Sequence, residues 1–161
     1  MPAALRELFV NWGSIYANHA AVRVLVVFAH LSGLIGGGGA AVTADRAILS
    51  AAGLGEHARR GELAALERAH RVVLAGLAVV ALSGVLLFAS DFETFLYSRV
   101  FWTKMTLVGL LVANGALLVS AERRAATGDE RAWGTLKLTA IASLALWALT
   151  LLGGVTLLNT Q

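Results

Sequence analysis

The sequence predicts an all-α protein, an antiparallel four-helix transmembrane bundle preceded by an amphipathic helix at the membrane interface. Three observations predict it. Of the 161 residues, 58% are hydrophobic and only 14% charged, where a soluble domain carries roughly a quarter charged residues. Such a deficit leaves much of the surface facing something other than water, and a lipid bilayer is the simplest partner. The charge-free runs 24–44, 72–90, 105–121 and 138–161 are each close to the ~20 residues that cross a hydrocarbon core at about 1.5 Å per residue. They lack polar alternation, so they are helices and not barrel strands.

Residues 2–16 form the interfacial helix. Leu5, Leu8, Phe9, Trp12, Ile15 and Tyr16 fall near helical spacing, with Arg6, Glu7 and Asn11 between them. The start lacks the basic stretch and apolar core of a cleavable signal, so the first span is expected to be retained. The spans are placed at 18–44, 68–90, 101–121 and 136–158, in one membrane domain covering 1–161. The first loop is polar, from Asp45 and Arg46 to Arg71, with Gly53 and Gly55 ending the first span and Gly61 preceding the second. The second loop, residues 91–99, carries Phe92, Phe95 and Tyr97, with Trp102 following, as an aromatic belt. The third holds Glu122, Arg123, Arg124, Asp129, Glu130 and Arg131 beside Trp133.

Orientation follows from basic residues. Arg46, Arg59, Arg60, Arg68, Arg71, Arg123, Arg124, Arg131 and Lys137 lie on the side of loops one and three; Arg6, Arg23, Arg99 and Lys104 lie on the other. That bias places loops one and three in the cytoplasm and both termini outside, in a bacterial-type inner membrane. The net charge of +3 comes from residues at span ends, which indicates topology and headgroup contact, not nucleic-acid binding. The absence of cysteine excludes disulfides, thiolate metal sites and cysteine nucleophiles.

Ionisable residues inside a span are costly and mark function. His30 is the clearest. His19, Arg23 and His30 are spaced by four and seven and share one helix face, on which Gly37 also falls. Counting inward about 15 Å from each outer end places His30, Val80, Val112 and Trp147 at one depth, with Asn114 slightly deeper and Ser83 slightly shallower. Three roles fit a neutral imidazole there: a hydrogen bond to Asn114 or Ser83 that fixes the bundle, axial ligation of a haem iron, or a step in an ion or proton path. For haem, Arg23 and Lys104 lie on the outer side, where they could pair with propionates.

His70 is expected roughly 18 Å deeper than His30 and so unable to share its iron; it remains a surface histidine, a second cofactor ligand or a proton entry group. His57 and His19 are expected in loop and interface. Lys104 is a snorkelling anchor or an anion contact. The span interiors hold no carboxylate, which counts against a cation-coupled transporter, and no hydrolase, phosphate-loop or metalloprotease motif is present. Gly33 and Gly37 form a G-x-x-x-G that Ala41 continues, a face for close packing against a neighbouring helix, a second copy or a larger membrane complex, or for a flat cofactor.

The run Phe28-Ala29-His30-Leu31-Ser32-Gly33, followed by small residues and Asp45-Arg46, and a later helix opening Phe101-Trp102-Thr103-Lys104-Met105, resembles the CopD-like and HemJ-like small membrane proteins. The resemblance implies haem or porphyrin association, with His30 as the haem-contacting histidine and Lys104 as its accompanying lysine, or else copper handling. Copper sites favour clustered Met, His or Cys, and this chain has two Met and no Cys. The sequence therefore points to a membrane haem b-type or porphyrin-binding redox protein, acting as an electron carrier or oxidoreductase. Its expected cofactor-contacting residues are His30, Arg23, Lys104, Asn114, Trp147 and His70, with His30 on the metal. The alternatives are a non-catalytic accessory subunit and a small-molecule or metal permease.

Overall fold

The computed structural model describes residues 3–51, 53 and 56–159, all helical except for short joints. Six helices follow in order: α1 (Ala3–Asn18), α2 (Ala20–Ala51), α3 (Glu56–Ser90), α4 (Phe92–Tyr97), α5 (Arg99–Ala126) and α6 (Glu130–Asn159). Pro2, Gly55 and the side chains of Leu5, Glu56, His57, Arg59, Arg60 and Glu62 lie outside the described residues. Four helices, α2, α3, α5 and α6, are long and apolar enough to cross a bilayer. The chain is a multi-pass membrane protein.

In lipid each backbone N–H and C=O must be satisfied within its own segment, which an unbroken helix does. Large apolar side chains cover the outside, such as Ile35 at 76% and Leu82 at 71% exposed. The helices outrun the expected spans. The 32 residues of α2 reach about 48 Å at 1.5 Å per residue, longer than a hydrocarbon core of about 30 Å is thick, and carry Asp45 within the helix instead of a loop. α3 likewise begins at Glu56, before Gly61, because one glycine costs a helix only about 1 kcal/mol. His57 falls in this first turn.

Two hairpins, α2–α3 and α5–α6, dock through α2 against α6, while α3 and α5 touch sparsely. α2 is the central helix. A Cβ on Gly76 of α3 would sit 2.5 Å from the Gly37 Cα, and one on Gly33 would sit 2.9 Å from the Gly76 carbonyl oxygen. The backbones thus meet directly, and no side chain larger than hydrogen fits the seam. One residue on, a Cβ at Gly38 would lie 3.3 Å from the Trp147 ring of α6. The face of Gly33, Gly37 and Ala41, expected also to dock a second copy or a complex or to leave a bare surface for a flat cofactor, is covered within this chain: α3 lies on the two glycines, and Ala41 clusters with Leu111 and Trp147.

A larger apolar core fills the loop end, where Ala44, Ile48, Ala51, Leu66, Leu118, Ala121, Trp133 and Leu136 pack together. At the other end α1 lies on α3, with the Trp12 indole N–H donating to the Leu86 carbonyl at 2.8 Å. Phe9 stands edge-on to Phe88, and Phe88 stacks on Phe101 of α5 at 5.3 Å. The expected second loop is itself the short helix α4, whose N-terminus Asp91 caps through the Thr94 amide. The Ser98 hydroxyl accepts the Phe101 amide and starts α5.

Gly76→Ala is expected to destabilise the bundle by about 1–3 kcal/mol through overpacking, read as unfolding in mild detergent. Gly36→Ala, whose Cβ would meet nothing within 4 Å, should change stability by less than about 0.5 kcal/mol or raise it slightly.

Candidate functional site

The antiparallel α2–α3 seam sets what His30 meets. With Gly33 on Val80 and Gly37 on Gly76, His30 falls opposite Ser83, and its Nδ1 lies 3.0 Å from the Ser83 Oγ. The ring rests against Gly84, where a Cβ would be 3.5 Å from Cε1. Ser83 is buried, and its hydroxyl also lies within bonding distance of the Val79 and Val80 carbonyls. With the hydroxyl proton on one of these carbonyls, the oxygen accepts from His30, and in that Nδ1–H tautomer Nε2 keeps its lone pair. That is how proteins orient a ligating histidine, with one ring nitrogen donating to a fixed acceptor and the other turned to the metal.

Lys104 points into the bundle. Its Cβ and Cγ run along Gly153 of α6, and its Nζ lies 3.6 Å from the Cβ position of Gly154. The glycine pair makes room for this inward path. Among the described residues no carboxylate pairs with the ammonium. One turn before the glycine pair, the Thr150 hydroxyl is buried without a hydrogen-bond partner. An imidazole lone pair, an unpaired ammonium and an unsatisfied hydroxyl thus occupy the half of the bundle nearer the termini.

The other residues expected at this site lie elsewhere. The Arg23 guanidinium donates to the Tyr16 and Ala17 carbonyls and caps the C-terminus of α1. His19 Nδ1 bonds the Ile15 carbonyl at the same joint. Asn114 donates to the Thr139 carbonyl at 2.9 Å and fastens α5 to α6. Trp147 sits on Gly38, eight residues beyond His30 and so about 12 Å deeper, because the α2–α6 seam has its own register and equal residue counts do not mean equal depth. Of the two partners expected for His30, the structure has Ser83 and not Asn114.

A second polar group lies near the loop end. His70 Nδ1 is 2.9 Å from Glu122 Oε2, joining α3 to α5, with side chains 19% and 12% exposed. Asp45 of α2 is 2% exposed, with Ser143 of α6 and His70 of α3 among the groups around it. Asp45, Glu122 and Ser143 were not singled out from the sequence. The signal was present: Gly33, Gly37, Ala41 and Asp45 recur every fourth residue, so the small-residue face delivers Asp45 inward. Leu136, Ala140, Ser143, Trp147 and Thr150 trace the matching buried stripe of α6. Among the described residues no three His, Asp or Glu side chains converge as a metal site. Comparison with family models, curated proteins and solved structures returns no match.

In protein labelled with 15N-histidine, His30 is expected to give the Nδ1–H pattern, and Ser83→Ala to remove that bias. An Nε2–H pattern in the unaltered protein would contradict the assigned tautomer.

Proposed function

We propose that this chain binds haem b, or a related porphyrin, between its helices and serves a redox reaction in the membrane. His30 holds the iron through Nε2, and Lys104 pairs with a propionate. The observation that carries this reading is the His30–Ser83 hydrogen bond, which fixes the ring and frees the ligating nitrogen. The donor set suits the group in three respects. The free lone pair would supply a ligand to the iron. The half-buried ammonium lacks a carboxylate partner among the described residues, and an anion would suit it. The buried Thr150 hydroxyl lacks a partner, and such a group calls for a polar contact. The haem itself would supply one-electron chemistry, and the protein's share is to orient, exclude water and neutralise charge.

The resemblance of the His30 and Lys104 segments to HemJ-like proteins points the same way. Copper handling has less support, given the lack of clustered metal ligands among the described residues. An accessory-subunit role through Gly33, Gly37 and Ala41 is weakened because α3 and Trp147 already cover that face. The excess of Arg and Lys beside loops one and three supports a cytoplasmic position for the loop end, with both termini outside an inner membrane.

Purified in mild detergent with added haem, the protein is expected to show a Soret band that sharpens on reduction. His30→Ala should abolish the band and His70→Ala should retain it. Lys104→Gln should weaken haem affinity about tenfold, the equivalent of 1.4 kcal/mol and in the range of one charged hydrogen bond. A colourless preparation of the unaltered protein after supplementation would overturn the reading.

A further inference from the structure

Fifteen residues separate His30 from Asp45 along α2, about 22 Å at 1.5 Å per residue. The space between is apolar, closed by Ala41, Leu111 and Trp147 with Leu34, Val73 and Leu77 around them. The layer at Asp45 is therefore separate from the His30 site. It draws one side chain from each of the four long helices: Asp45 from α2, His70 from α3, Glu122 from α5 and Ser143 from α6.

We propose that Asp45, Ser143, His70 and Glu122 form a proton-binding site through which the bundle exchanges protons with water at its loop end. Asp45 holds the proton, and the His70–Glu122 pair conducts it.

The geometry of Asp45 carries this assignment. Its carboxyl is buried and its Oδ2 has no hydrogen-bond partner. A buried carboxylate anion with an empty oxygen is costly, and no Lys or Arg among the described residues pairs with it. A proton on the carboxyl removes the charge and provides a donor. The groups around it are Ser143 of α6 and, across the α2–α3 seam, His70. Behind His70 stands Glu122. The neighbouring charges Arg46, Glu67, Arg71, Arg123, Arg124 and Lys137 are exposed and lie outside the layer. His70 and Glu122 retain some exposure, so they link buried Asp45 to solvent.

The transfer balances without a redox partner. A proton from water arrives at the His70–Glu122 pair, an imidazole N–H or carboxyl O–H bond breaks as the Asp45 O–H bond forms, and no electron moves. A merely structural ion pair would leave Asp45 ionised. A metal site would need a third converging ligand, which the described residues do not supply.

Infrared spectroscopy of the full chain in lipid, without added haem, tests the site independently of the cofactor reading. Between neutral and mildly acidic pH the protein should show the C=O stretch of a protonated carboxylic acid, displaced in D2O and lost in Asp45→Asn. Labelling with 13C-aspartate should displace the same band in the unaltered protein, which assigns it even if Asp45→Asn does not fold. In His70→Gln and Glu122→Gln the band should persist while its hydrogen–deuterium exchange slows severalfold. Absence of the band in the unaltered protein, its failure to move with 13C-aspartate, or exchange that is unchanged in both gateway variants would overturn the proposal.

Discussion

The closest approach in the structure is between backbones, at Gly33 and Gly37 of α2 and Gly76 of α3. In lipid no hydrophobic force drives two apolar helices together, so association depends on close van der Waals packing and on a few polar bonds between helices. Glycines allow both. They bring α2 and α3 close enough for His30 and Ser83 to bond, a contact worth about 0.6–2 kcal/mol in such a setting. The same register carries Asp45 and His70 to one level at the opposite end. The next glycine in the sequence, Gly38, receives Trp147 and fixes the second hairpin against the first. Two adjacent small residues on α2 thereby position both partners of the central helix.

The polar residues fall into two layers with an apolar block between them. The layer nearer the termini is basic, with His30 and Lys104. The layer nearer the loops is acidic, with Asp45 and the His70–Glu122 pair. The proposed ligands differ accordingly: an iron centre with an anionic substituent in the first, a proton in the second. Trp147 and Leu111 close the space between them, so any coupling would run through helix positions and not through a water-filled channel. α3 and α5 are clipped at their ends, by His70–Glu122 and by the Phe88–Phe101 stack. The clips sit beside the two layers and tie each to the same pair of helices.

The four spans were legible because hydrophobic length is a one-dimensional quantity, and a charge-free run in lipid has few alternatives to a helix. His30 was legible for the related reason that an imidazole in an apolar run stands out. The depth count placed Ser83 beside it correctly but misjudged Asn114 and Trp147, since each helix–helix seam sets its own register and shifts levels by several residues. Arg23 shared a face with His30, yet the chain joint at His19 leaves the last carbonyls of α1 unpaired, and the guanidinium answers them. Asp45 was assigned to a loop because a charge was taken as the end of the span. The helix continued, and the four-residue spacing of Gly33, Gly37 and Ala41 already pointed Asp45 inward. α4 was missed because six residues carry too little periodicity, although Asp91 and Ser98 held its capping signals.

The decisive question is whether His30 turns into the bundle onto α3 when the protein sits in a bilayer. Solid-state NMR on isotope-labelled protein in lipid can observe this contact directly. The glycine seam predicts a through-space correlation between the His30 Nδ1 and the Ser83 Cβ, with no transfer from acyl-chain protons to the ring. A His30 ring correlated with lipid and not with Ser83 would contradict the seam, the tautomer and the cofactor site together.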